Sequence, residues 1–335
     1  APARPLTAAP QAGPYRVGPA AGGDLLIADR GNGRLLIVDP AGHVLWRFPV
    51  AGSLPPGQRF SADDAFIAPD GRTIVANEED HQVVVRIDIA THRIVWTYGR
   101  YDRPGPGAGL LHTPDDAYPL PGGDVLVADI RDCRVVSLDP AGAIDRQLGD
   151  GRCRHDPPFE LAAPNGDTPL PDGDVLVTEI RGSRVDRIGP QGQLRFDVHV
   201  PVAYPSDAQL APNGDIVVAD FSDPGAVVCV DQAGRLVWRY APRRAPGRLA
   251  YPSLALPLPD GTILVTDDEG GRVLQVDPAT GRILWQYGQA GRPGARPGQL
   301  DVPDGLDPVD PALLAAVLSP AAAAPAPTSG RPIAW

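Results

Sequence analysis

Six times the chain runs from a glycine through a short apolar stretch into an acidic or amide residue, and two further apolar stretches follow each time. The units run Gly23–Asp29, Gly71–Asn77, Gly123–Asp129, Gly173–Glu179, Gly214–Asp220 and Gly261–Asp267. Successive starts lie 48, 52, 50, 41 and 47 residues apart. Short runs rich in Val, Ile and Leu, separated by glycine turns, read as β-strands. A period of this size built from such runs is that of a β-propeller, with one four-stranded antiparallel blade per repeat. One blade cannot bury both of its faces, so the repeats must close into a single unit. The sequence predicts an all-β, six-bladed β-propeller over residues 14–305. An N-terminal segment, 1–13, precedes it. A C-terminal extension, 306–335, holds a short helix over 311–318 and a Pro/Ala-rich tail.

Blade 3 shows the unit most clearly. Pro114–Leu120 reads as the inner strand that lines the channel, followed by Asp124–Asp129, Arg134–Asp139 and the outer strand Ala143–Leu148. Ala62, Pro114, Pro164, Pro205 and Pro252 hold the same place before their turn glycines, and Pro14 holds it in blade 1. On this reading Tyr15–Ala20 is blade 1's inner strand and the ring needs no borrowed C-terminal strand. Gln299–Gly305 then competes for a place at the seam of blades 1 and 6, or crosses one mouth. Trp46, Trp96, Trp238 and Trp285 share one outer-strand slot, each with Phe or Tyr two residues later. Period-two spacing puts both rings on one strand face, as packing between blades near the rim requires.

Forty-one acidic residues against 30 basic give a formal charge of -11, which disfavours nucleic acid and anionic membrane surfaces and suits cationic ligands. No apolar run is long enough for a transmembrane helix, so membrane insertion is not expected. The start, Ala1-Pro2-Ala3, fits a secreted or periplasmic protein whose signal peptide has been removed, or a trimmed chain. Cys133 and Cys153 either form a disulfide, as an oxidising compartment allows, or stay free, and Cys229 reads as a small buried hydrophobe. No Walker motif or Rossmann fingerprint is present, so no nucleotide cofactor is expected.

After the proline-like position the next two residues are Tyr15-Arg16, Asp63-Asp64, Asp115-Asp116, Asn165-Gly166, Ser206-Asp207 and Ser253-Leu254. Asp64, Asp116 and Asp207 recur at the second place, with Asp167 displaced by one. Period two sends adjacent residues to opposite faces, so one of each pair is expected to point inward. Converging carboxylates suit Ca2+ or Mg2+. Without metal, neighbouring carboxylates raise one another's pKa and provide acid–base chemistry. The third role open to them is to cap backbone N–H groups or face channel water. Asp29, Asn77, Asp129, Glu179, Asp220 and Asp267 recur in every blade and read as strand-end anchors, paired across the turn with Arg34, Arg134, Arg184 and Arg272. His112, His155 and the acidic run Glu78-Glu79-Asp80-His81 break the repeat. They are surface-loop residues by default, or proton shuttles and cation ligands at one mouth.

The wording Pro-x-Asp-Ala, Gly-Asp-Val-Leu-Val-Ala-Asp and Arg-Val-x-x-Leu-Asp-x-x-Gly, with the link Pro297–Gly305, resembles NHL-repeat propellers. Gly281-Arg282-Ile283-Leu284-Trp285-Gln286-Tyr287 is similar to repeats of quinoprotein-like and arylsulfotransferase-like propellers. The resemblance implies a propeller whose enzymatic members act in the channel. Some use histidines with a divalent metal, as in peptidyl-hydroxyglycine and streptogramin lyases. Gluconolactonase-like members use carboxylates on calcium or a similar ion, and strictosidine synthase-like members a glutamate. No inner strand here carries a histidine, and His155-Asp156 lies in a link. The resulting expectation is a small-molecule-processing enzyme, foremost a metal-assisted hydrolase or lactonase. Asp64, Asp116, Asp167 and Asp207 hold the ion, Asp116, His112 and His155 serve catalysis, and Arg16 and Asn165 bind substrate. The alternatives are a lyase, or a non-catalytic propeller that binds a ligand or a protein partner through its loop face.

Overall fold

The computed structural model describes residues 23–319, which form six four-stranded antiparallel sheets arranged as a six-bladed propeller. Blades 2 to 6 are each continuous in sequence, with inner strands Ala65–Ile67, Pro114–Pro119, Pro164–Pro169, Pro205–Leu210 and Ala255–Pro257. The second strands are buried along their whole length, because each packs on blades to both sides and neither face meets water.

Blade 1 is built differently from the sequence reading. Its strands Asp24–Asp29, Arg34–Val38 and Val44–Phe48 are completed by Pro303–Val309, which pairs antiparallel with Asp24–Asp29. The expected inner strand Tyr15–Ala20 lies outside the described residues, and the C-terminal segment closes the ring. The apolar residues of the seam explain the choice. Leu306 stands opposite Ile27 and joins Leu25, Leu254, Leu258, Leu264 and Leu300 in one buried cluster between blades 6 and 1. The closing strand also bonds to both neighbours. Ser253 Oγ donates to the Asp304 carbonyl (2.7 Å), and the Ile67 N–H donates to Asp307 Oδ2 (2.7 Å).

The helix Pro311–Leu318 forms where the sequence predicts it. Asp310 caps it by accepting from the Ala312 N–H, and Pro311 stands in the first turn, where no N–H partner is lost. Leu314 and Val317 bury into the core of blades 1 and 2. At the rim, each Trp–aromatic pair stacks on one strand face with centroids 6.2–6.5 Å apart. Trp46 Nε1 donates to the Ile89 carbonyl of blade 2, and Trp285 Nε1 to the Pro40 carbonyl of blade 1. Cys133 and Cys153 form a disulfide that ties the blade 3–4 link to blade 3, and Cys229 is buried. Among the described residues, no helix is long and apolar enough to cross a membrane.

Ring closure by a strand from the far end of the chain makes Leu306 a test of global stability. Leu306→Ala is expected to lower unfolding free energy by about 2–5 kcal/mol, measured by urea denaturation. Removing residues 303–319 is expected to abolish cooperative unfolding.

Candidate functional site

The inner strands do not run as regular β-structure where they reach the channel. Register shifts interrupt the pairing between Asp115 and Ala117, between Pro164 and Asp167, and between Pro205 and Ala208. Asp116 sits at φ +36°, and Asp63 and Asp64 precede the regular part of their strand. A bulge breaks the period of two and re-aims a side chain. Both members of each acidic pair therefore line one cavity, which corrects the expectation that one of each would turn away. Asp63, Asp64, Asp115, Asp116, Asp207 and Asp304 face this space together with Glu79, Arg30 and Asn165. The cavity holds about 70 Å³, enough for an ion and a few waters but far below the several hundred Å³ of a typical drug-sized ligand pocket.

The carboxylates are packed against one another. Ligand oxygens of Asp63, Asp64 and Asp115 lie within 4.8 Å of each other. Asp63 interacts directly with Asp115, and Asp64 with Asp116, in each case across the seam of blades 2 and 3. Two glycines allow this approach. A Cβ on Gly305 would stand 2.7 Å from the Asp64 Cα, and one on Gly166 2.9 Å from Asp207 Oδ1. Arg30, the one cationic side chain that lines the cavity among the described residues, pairs with Asp63, with Glu79 (2.7 Å), with Asp80 (3.1 Å) and with Asp304 (3.1 Å).

Burial dominates the acidities and neighbouring carboxylates add to it. Both push Asp63, Asp64 and Asp116 far above the ordinary carboxylate range. Burial raises Asp115 to about 7, the Asp63 contact offsetting part of the rise. It raises Asp207 to about 6, held down by hydrogen bonds from Gln209 (2.7 Å) and Thr168 (3.0 Å).

The expected site residues divide among three places. Asp64, Asp116, Asp207 and Asn165 line the cavity. The Asn165 amide is engaged there, donating to the Ser206 carbonyl (3.1 Å) and accepting from Tyr204 Oη (2.9 Å). Asp167 lies fully buried beside it: its N–H donates to Asp116 Oδ2 (3.4 Å), and neither of its carboxylate oxygens receives a hydrogen bond. His112 and His155 do not line the cavity. The His112 N–H donates to Asp129 (2.7 Å), and the His155 ring contacts Glu179 and Asp197 on blade 4. Arg16 lies outside the described residues.

Sequence reasoning passed over Arg30 and Asp304, while Glu79 belongs to the acidic run read above as a surface turn or a cation site at one mouth. Asp304 follows Pro303 as Asp63 follows Ala62, a signal hidden by assigning blade 1 another inner strand. Arg30, Glu79 and Phe221 each directly follow the recurring acid of a second strand, and in blades 1, 2 and 5 that next position lines the cavity. The recurring acid of blade 2 is Glu78 rather than Asn77. Glu78 precedes the 3-10 turn Glu79–His81 as Asp29 precedes Arg30–Asn32, because the turn leading into the second strand of blade 2 holds one residue more. The Ala68 N–H donates to the Thr73 carbonyl, five residues on, where the Leu120 N–H of blade 3 donates to that of Asp124, four on. Asn77 instead spans the seam, its Nδ2 donating to the Pro114 carbonyl (3.1 Å).

A family profile described as "Outer membrane protein assembly factor BamB" matches residues 5–152 and 160–304. The chain belongs to this family. Its repeats are of the quinoprotein-like type, the second of the two resemblances seen in the sequence. No curated protein matches the sequence significantly. Among solved structures, a protein of unknown function from Bacteroides caccae superposes with a TM-score of 0.61 at 19% identity, over 86% of this chain and 99% of that one. A chain of the nidogen/laminin complex gives 0.60 at 15% identity, over 85% and 97%. Virginiamycin B lyase from Staphylococcus aureus gives 0.50 at 19% identity, over 70% and 72%. At these identities the likeness is one of fold.

Groups whose pKa is raised on folding keep protons that the unfolded chain sheds near pH 4. They therefore stabilise the fold at low pH, and that stability is lost as pH rises through the folded values. For metal-free protein in chelator, the thermal midpoint is expected to fall between about pH 5 and about pH 8, the window set by Asp207 and Asp115. Circular dichroism melts across that range, with Asp115→Asn flattening the slope, check this.

Proposed function

We propose that the channel binds a divalent oxygen-seeking cation, Ca2+ in the first instance, and uses it to hydrolyse a small ester or lactone. One observation carries the reading: among the described residues, seven acidic side chains line the cavity against a single arginine. Such a charge set is stable only when protons or a cation neutralise it. The tight trio Asp63, Asp64 and Asp115 offers oxygen ligands of the kind Ca2+ and Mg2+ take. A bound ion would polarise a substrate carbonyl and acidify a water. Asp207, with a pKa near 6 and an orientation fixed by Gln209 and Thr168, is suited to exchange a proton near neutral pH. Arg30 would hold developing negative charge at the same mouth. The small cavity admits only the reacting group. Tyr204, Phe221 and Tyr251, with ring centroids 5.4 and 5.2 Å apart in succession, offer a shelf for an apolar body. Export fits the Cys133–Cys153 disulfide, and a family described by an outer-membrane assembly factor is consistent with it.

The family match supports a second reading, a protein-binding propeller of an envelope assembly process. The two part at the channel, because a scaffold has no need of ion-dependent turnover. Calcium titration by calorimetry is expected to give one channel ion per chain, with affinity falling by about 100-fold or more in Asp63→Asn and Asp115→Asn. Hydrolysis of a lactone and ester panel is expected to need that ion and to be lost in the same variants. Unchanged binding in both variants would remove the cation reading. Binding without turnover would leave the scaffold.

A further inference from the structure

Blade 4 departs from the other five at one place on its face toward blade 3. In blades 1, 3 and 6 the third-strand arginine pairs with the acid that ends the second strand: Arg34 with Asp29, Arg134 with Asp129 and Arg272 with Asp267. In blade 4, Arg184 turns instead to Asp197 on the outer strand, and Glu179 is left to a histidine from the preceding link. Two residues along, Asp186 occupies a buried seat that the other blades fill with Leu36, Val85, Val136, Val228 and Leu274. Asp186 also stands directly opposite Asp197 in the strand pairing, an arrangement of like charges that destabilises a sheet.

Glu179 and Asp186 are fully buried, no N–H or hydroxyl donor reaches either oxygen of Asp186 or Glu179 Oε1, and the Asp186 carboxyl contacts the Glu179 and Asp197 carboxylates. His155 is aimed at them: Nδ1 lies 2.8 Å from Glu179 Oε2 and Nε2 3.1 Å from Asp197 Oδ2. The link that carries His155 is held down from both ends of its turn. Cys153, two residues earlier, is disulfide-bonded to Cys133, and Arg152 and Arg154 both pair with Glu160. One ligand atom each from His155, Glu179 and Asp186 falls within 4.8 Å of the others. An imidazole nitrogen with carboxylate oxygens selects borderline transition ions such as Zn2+ over Ca2+. The His155 side chain is 29% exposed, which leaves an access route for the ion.

We propose that His155, Glu179 and Asp186, with Asp197 beside them, bind a divalent transition-metal ion at the seam of blades 3 and 4, and that the ion fastens the 149–160 link to the ring. This site is separate from the channel and stands whether or not the channel binds calcium. Binding releases the protons that otherwise keep these groups neutral or paired.

The test is a Zn2+ titration of chelator-treated full-length protein by calorimetry, with Co2+ absorption as a spectroscopic check on imidazole ligation. Asp186→Val installs the side-chain class that the other blades carry there, and His155→Ala changes only the link. Wild type is expected to bind one more equivalent of Zn2+ than either variant, and zinc is expected to slow proteolysis of the link in wild type alone. Equal Zn2+ stoichiometry and affinity in wild type and His155→Ala would overturn the proposal, as would a wild type that binds no Zn2+. Either result would leave a proton-sharing carboxylate–imidazole network in its place.

Discussion

The pairing of Pro303–Val309 with Asp24–Asp29 is the contact on which the rest of the ring depends. It turns six stacked sheets, two of which would otherwise expose an apolar face, into a closed cycle in which every second strand is buried on both sides. Closure also builds the candidate site. It carries Asp304 to the channel, sets Gly305 against Asp64, and brings Arg30 of blade 1 into reach of Asp63 and Glu79 of blade 2. The stability of the fold and the geometry of the channel thus rest on one non-local strand pair.

The channel concentrates charge in a way no single blade could. The inner strands of blades 1, 2, 3 and 5 each add one or two carboxylates where the regular pairing is interrupted or has not begun, and convergence stacks them against their counterparts across the seams. One layer further along the strands, Gln209 donates to Asp207, Thr168 and Tyr118 and ties three blades together beneath the acids. The acids are therefore held in place by the scaffold, and their repulsion is a property of the folded state that protons or a cation must offset.

Irregularity within the repeat marks both candidate sites. Anchoring acids recur because every blade must end its second strand in the same way, and Asp29, Asp129 and Asp267 each meet their own arginine. Arg30, Glu79 and Phe221 differ from one another at one shared position because that position faces the channel rather than a neighbouring blade. Asp186 differs from its five counterparts at a position that otherwise packs, and the rewired Arg184 pairs beside it.

The sequence by itself determined the fold class, the six blades, the helix over 311–318, the stacked rim aromatics and the acidity of the channel. Each of these follows from local periodicity, turn residues or composition, which act within one repeat. Only the tertiary structure decided which strand closes blade 1, since Tyr15–Ala20 and Pro303–Val309 both carry the local pattern and the choice rests on packing across the blade 6–1 seam. It also decided that Asp63 and Asp64, and likewise Asp115 and Asp116, share one cavity, because a bulge cannot be read from a strict period of two. The separation of His112 and His155 from the channel acids is decided in the same way. Their places depend on how the links between blades lie over the ring, and the sequence of a link does not record the surface it packs against.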